Sequence, residues 1–208
     1  MDKINIQTWK RKNQYNHFKD YDFPFFNVTA NVDITKLYDY CKKNNLPFSL
    51  ATLYISQKTI NEIENFGYRI IKNEVFFLKD MQIGTTILYE DNTFGFVFLD
   101  YFENIKEFCT KSRKIMNQNL KTKTISNKKR LNVTRHSIVP WVTFTSVQNP
   151  RKFGYDDSIP VIIIGKFKEH NNKKQMPISV EAHHALMDGY HVGQYFQIFQ
   201  KNIDSLEL

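Results

Sequence analysis

The run His183-His184-Ala185-Leu186-Met187-Asp188-Gly189-Tyr190-His191 holds three of the chain's six histidines within nine residues. It stands between an apolar strand-like stretch, Met176 to Ala182, and a segment whose Phe196, Phe199 and Ile203 share one helical face. Its Asp188-Gly189 pair sets a sharp turn that can aim the His184 imidazole across a cleft, and a loop at a strand end holds a base rigidly. A neutral imidazole suits the removal of a hydroxyl proton while that hydroxyl attacks a carbonyl. His183 and His191 read as partly buried structural histidines. No metal is expected, because neither HExxH, nor paired cysteines, nor an adjacent carboxylate set completes a zinc site.

Outward from this run, the pattern alternates strands and helices. Phe25 to Asp33 mixes β-branched and aromatic residues and reads as a strand, ending at Asp33-Ile34-Thr35, where Asp or Thr can cap the helix Thr35 to Lys43. Asn44-Asn45-Leu46-Pro47 breaks that helix, and Ser49 is expected to cap a second one reaching about Asn65. Gly67 to Tyr101 reads as a hairpin series with turns at Lys72-Asn73 and Asp91-Asn92. Its last strand, Phe94 to Leu99, is apolar on both faces and is expected to be central. Ile105 to Ile115 has the spacing of an amphipathic helix, and Lys121 to Asn132 of an exposed, mobile loop. Strands are expected over Ser137 to Val147, Pro160 to Phe167 and Met176 to Ala182, with a turn-rich segment holding Asn149-Pro150 and Asp156-Asp157. A helix from His191 to Asp204 closes the chain. The reading is α/β, with helices on a mixed sheet, as a single domain over residues 1–208.

Composition narrows the function classes. An apolar fraction of 41% can fill a core, and 15% aromatic residues suit a sheet-rich fold. The net charge of +8 is densest from Lys121 to Arg135 and would attract an anionic small molecule or nucleic acid, but no helix-turn-helix, zinc-finger or RNP motif supports the latter. Cys41 and Cys109 lack CxxC spacing, no secretory leader is visible and no apolar run approaches ~18 residues, so a soluble, cytoplasmic protein with no membrane partner is expected. The GxSxG elbow is absent and neither cysteine has an activating signal, which favours direct transfer over a covalent acyl-enzyme.

The run His183 to Val192 resembles the active-site signature of the chloramphenicol acetyltransferases. Trp9-Lys10-Arg11-Lys12 is similar to that family's amino-terminal WxRK, Val32-Asp33-Ile34-Thr35 to its DIT, Pro140 to Ser146 to its PWVxFxS, and Pro160 to Lys166 to its PxxTMGK strand. The resemblance implies a two-layer sandwich of the CoA-dependent acyltransferase type and a homotrimer with interfacial active sites. It further implies acetyl-CoA as co-substrate, a small hydroxylated acceptor such as chloramphenicol, and antibiotic resistance. His184 would be the general base and Ser146 the oxyanion donor, with Arg11 and Asp188 paired to support the loop. Lys166 would approach CoA, and Phe18 and Phe94 would line the acceptor pocket. Taken alone, Ser146 is an ordinary strand residue, Arg11 and Lys166 are surface charges, and Phe18 and Phe94 are core candidates.

Three departures from the family pattern touch specificity. Ile163 stands where the family has a threonine, residues 147–159 lack its FxLNxxN pattern, and Pro47-Phe48-Ser49-Leu50 lacks a basic entry with its CoA-proximal lysine. The first two motivate the alternative of a non-catalytic CoA- or ligand-binding trimer on the same scaffold.

Overall fold

The computed structural model describes residues 1–123, 130–151 and 157–208. Most of the expected loop after Lys123, residues 124–129, and Asp156 of the expected turn lie outside them. In chain order the elements are β1 (Asp2–Lys3), α1 (Lys12–Phe18), β2 (Phe25–Asp33), α2 (Thr35–Lys43), α3 (Phe48–Asn61), a 3-10 turn (Glu64–Gly67), β3 (Tyr68–Ile71) and β4 (Glu74–Phe77). They continue with β5 (Gln82–Leu88), β6 (Phe94–Leu99), α4 (Ile105–Thr122), β7 (Val133–Val139), β8 (Val161–Gly165), β9 (Lys168–His170), β10 (Lys173–His183) and α5 (Gly189–Asp204). The α/β class is as expected, with a mixed main sheet.

That sheet runs β2-β10-β8-β7-β5-β6, with β9 paired to β10, and its parallel pairs are β5 with β7 and β7 with β8. A smaller sheet, β1-β4-β3, stands apart. Alternation gives the main sheet two unlike faces. Ile178, Val180 and Ala182 of β10, Ile162 and Ile164 of β8 and Ile83 and Ile87 of β5 pack with Leu53, Ile60, Phe108, Tyr195 and Phe199 of the helices. Ser179, Glu181 and His183 alternate with the β10 core positions, and so point to the other, outer face.

Local chemistry sets several boundaries. Asp33 Oδ1 accepts from the Thr35 N–H at 3.0 Å and from its hydroxyl at 2.6 Å, so the β2–α2 corner is held by the acidic residue. Asn104 accepts from the N–H groups of Lys106 and Glu107 and caps α4. In the turns, Lys72 and Asn73 have φ of 50° and 61°, and Asn171 and Asn172 have 50° and 59°. Two successive left-handed residues match the twist of a tight hairpin.

Four expectations need correction. Ser49 does not cap α3: the helix starts at Phe48 with Pro47 at its N-cap, because proline's fixed φ is already suited to a helix start. The helix ends at Asn61 and gives way to the 3-10 turn. The strand expected over 137–147 ends at Val139, since Pro140 has no N–H to continue the ladder, and the strand begins earlier, at Val133. Strand β6 is an edge strand rather than a central one. Its Val97 and Leu99 face the core, while Phe94 and Phe96 on the outer face are 56% and 47% exposed. The short elements β1, α1 and β9 were not expected, being too brief for a period to register.

A buried polar chain crosses the core. The Ser56 hydroxyl of α3 lies 2.8 Å from His136 Nε2 of β7 and 2.8 Å from the Tyr195 hydroxyl of α5. Burial pushes the His136 imidazole down to about 4, so the ring is held neutral.

Candidate active site

His184 sits just past the end of β10, where its N–H donates to Pro24 O at 2.8 Å and so stays with the start of β2. Its ring stacks on Phe18 of α1, with centroids 4.1 Å apart and planes 8° from parallel. Phe26 lies tilted against it at 4.6 Å. The Nδ1 atom is enclosed and has no hydrogen-bond partner among the described residues. Two aromatic walls therefore fix the plane of the ring.

The loop after it is held from three sides. Leu186 and Met187 N–H groups turn back onto His183 O at 3.0 and 3.2 Å, and the buried Asn65 amide donates to Leu186 O at 2.8 Å. Arg11, buried beside α1, donates to Asp188 Oδ2 at 2.9 Å and to His184 O at 3.3 Å. Burial alone would raise the Asp188 carboxyl, but Arg11 and His191 outweigh it and hold it below the usual range. Asp188 also caps α5, accepting from the Tyr190 N–H at 3.1 Å, while His191 Nδ1 accepts from the Asp188 N–H at 3.2 Å and closes a capping box. His183 is buried and neutral, its Nδ1 accepting from the Ala185 N–H at 3.2 Å. A small cluster of Trp9, Tyr15, Tyr68, Val75, Ala185 and Leu186 anchors this loop to the smaller sheet.

The structure thus brings Arg11, Phe18, His184 and Asp188 together and leaves three other named residues elsewhere. The Lys166 N–H bonds Val142 O at 2.8 Å, and Phe144 lies against Gly165 and Pro177. Pro177 is six residues before His183 on β10, about 20 Å away at the rise of a strand. Ser146, two residues after Phe144, is exposed and makes no hydrogen bond to His184 among the described residues. Lys166 is exposed at that same far end, and Phe94 is on edge strand β6. Ile163 is paired with Ser179 on the outer face. Asn65 and Phe26 were missed by the sequence reading. Phe26 lies in a strand of ordinary composition, and nothing local marks Asn65, whose partner is 121 residues away.

Among the described residues no group of three or more His, Cys, Asp or Glu side chains is arranged to hold a metal ion. No helix among them is long and apolar enough to cross a membrane.

Helices on one face of a mixed sheet, with a histidine loop at the end of a central strand, define the CoA-dependent acyltransferase class of fold. A solved chloramphenicol acetyltransferase superposes with a TM-score of 0.85 at 22% identity, covering 96% of this chain and 98% of that one. A dihydrolipoamide acetyltransferase from Azotobacter vinelandii follows at TM-score 0.69 and 10% identity, covering 93% and 86%; both likenesses bear on fold. The model of the chloramphenicol acetyltransferase family matches residues 1–200, and the chain belongs to that family and is an acyltransferase. Relatives named chloramphenicol acetyltransferase include one from Vibrio anguillarum, 27% identical over 98% of this chain and 94% of its own, and one from Clostridium perfringens, 28% identical over 98% and 95%.

Proposed function

We propose that the chain, as one domain over residues 1–208, transfers the acetyl group of acetyl-CoA to a hydroxyl of chloramphenicol or a similar small molecule, with His184 as general base. The carrying observation is the His184 ring itself: stacked on Phe18, with Phe26 tilted against it, and tied by its backbone to Arg11 and Pro24, it is a preorganised imidazole rather than a mobile one. His184 takes the acceptor's hydroxyl proton as that oxygen attacks the thioester carbonyl. The oxyanion so formed accepts a hydrogen bond from Ser146. It collapses by breaking the C–S bond, and His184 returns the proton to the departing CoA sulfur, leaving an acetyl ester and free CoA thiol.

Within one chain Lys166 lies far from His184, and Ser146 makes no hydrogen bond to it among the described residues, which supports a homotrimer in which each site joins the His184 loop of one copy to the Ser146 segment of the next. The outer-face aromatics Phe94 and Phe96, together with Trp141 at 62% exposure, offer apolar surface for such contacts. The positive charge, including Lys166, steers the anionic co-substrate.

The test is thiol release from acetyl-CoA with chloramphenicol and a panel of hydroxylated acceptors. Turnover that falls by several orders of magnitude in His184→Ala, with CoA binding retained, is the expected result. Undiminished turnover would remove His184 as base. CoA binding without turnover on any acceptor would favour the binding-only scaffold.

A further inference from the structure

We propose that Arg151 is a positioning residue for the loop that carries His184, acting through Glu181 and His183; the proposal rests on the reading of His184 as the base. The Arg151 side chain is 3% exposed and lies on the outer face of the sheet. Its Nε donates to Glu181 Oε1 at 2.6 Å, and its Nη1 to Asp157 Oδ2 at 3.0 Å and to Ile159 O at 3.1 Å. Arg135 of β7 meets the same Asp157 oxygen at 2.7 Å, so four alternating charges link β7, the 157–159 segment, Arg151 and β10. Glu181 is three residues before His184 on the strand that delivers it.

The guanidinium also lies over the Phe25 ring at 4.0 Å, and Phe25 meets His183 edge-on at 5.0 Å, directly across the β2–β10 ladder. His183 is the hydrogen-bond acceptor for Ala185, the residue immediately after His184. That bond requires Nδ1 to be free of a proton. Among the described residues the charged and titratable groups acting on His183 are Arg151 and Asp157 from the covering segment and His184 beside it, while Glu181 precedes it by two residues on the same strand. Burial first, then the Arg151 charge, push His183 down to about 4. Arg151 thus both ties down the strand and guards the acceptor state that sets the backbone on the far side of His184. A buried pair costs desolvation and is weak evidence for stability by itself, which makes a role in geometry testable apart from folding.

The experiment compares the full chain with Arg151→Met and Arg151→Lys. It reads kcat and KM for acetyl-CoA between about pH 5.5 and 8, and titrates histidines carrying a 13C label at Cε1 by NMR. In Arg151→Met, kcat is expected to fall about tenfold or more while KM for acetyl-CoA stays within about twofold, and the deficit to deepen toward the acid side. The His183 midpoint is expected to rise, since a repelling cation is gone and Glu181 is left unpaired. Arg151→Lys, which keeps the charge, is expected to restore the His183 midpoint and the acid-side profile. A folded Arg151→Met with the parent's kcat profile overturns the proposal, as does an unchanged His183 midpoint. Should Arg151→Met fail to fold, Glu181→Gln replaces it: a severalfold kcat loss supports the tie, and parental kcat overturns it. If the parent acetylates no acceptor, the base assignment fails separately, and the His183 midpoint still decides whether Arg151 controls that ring.

Discussion

Lowering the pH from 7.5 to 4.5 should destabilise this protein through His136, by an amount that follows from its burial. In the unfolded chain the imidazole titrates near 6.5, whereas in the fold it is enclosed between α3, β7 and α5 and titrates near 4. The folded value is the lower one, so above about pH 6.5 both states are neutral and the histidine contributes nothing to the pH dependence. As pH falls through 6.5, the unfolded chain takes up a proton that the folded chain refuses, and stability drops until about pH 4, where the fold binds it too. Linkage makes the loss about 1.4 kcal/mol at pH 5.5 and about 2.5 kcal/mol at pH 4.5. The assay is urea unfolding of the parent and of His136→Gln at several pH values and one fixed protein concentration, since association would otherwise shift apparent stability. Glutamine keeps a polar group near the Ser56 hydroxyl but cannot take up a proton at these pH values. The variant is expected to start less stable and to lose about 2.5 kcal/mol less between pH 7.5 and 4.5. Equal losses in both proteins would show that His136 is not held neutral by the core. His183 and the lowered Asp157 and Asp188 titrate alike in parent and variant, and so cancel in the comparison.

Three further outcomes follow from the site. Arg11→Ala is expected to cost about 2 kcal/mol, below a fully buried pair because Asp188 is partly open to water, and to lower kcat by releasing the Asp188 and His184 backbone contacts; thermal melts and thiol release check both. Ser146→Ala is expected to lower turnover on the order of a hundredfold with little change in melting temperature, because the side chain is exposed in the single chain; a stable variant at full activity would remove it from the oxyanion role. If the chain assembles as proposed, Phe94→Ser with Phe96→Ser is expected to weaken that assembly at micromolar concentration, read as a lower mass by light scattering, and an unchanged mass would remove these two residues from the interface.

The legible parts of the fold are those whose cause is local. The bounds of β2 and α2 follow from composition, from Asp33 acting on Thr35 and from the break at Asn44 to Pro47. The start of α5, expected at His191, lies two residues earlier at Gly189, because Asp188 caps the helix as well as making the turn. Where two physical causes leave one pattern, the sequence reading went astray. Residues 141–147 are β-branched and aromatic enough for a strand, yet after Pro140 the same side chains serve a segment that meets Gly165 and Pro177 instead of a ladder. Phe94 to Leu99 carries apolar residues on both faces, as a central strand does, and an edge strand with exposed aromatics has the same pattern.

By itself, then, the sequence determined the α/β class, the main helices and strands, and the His184 loop, because the histidine, its turn and its aspartate lie within nine contiguous residues. The tertiary structure alone decided what surrounds that histidine and its loop. Phe18, Asn65 and Arg11 reach it from up to about 170 residues away, and the Arg151–Glu181 pair forms only where the outer face of the sheet is covered. Strand order also decided that Lys166 lies at the far end of β10 from His184, since side-chain periodicity encodes which face a residue takes but not which strand becomes its neighbour.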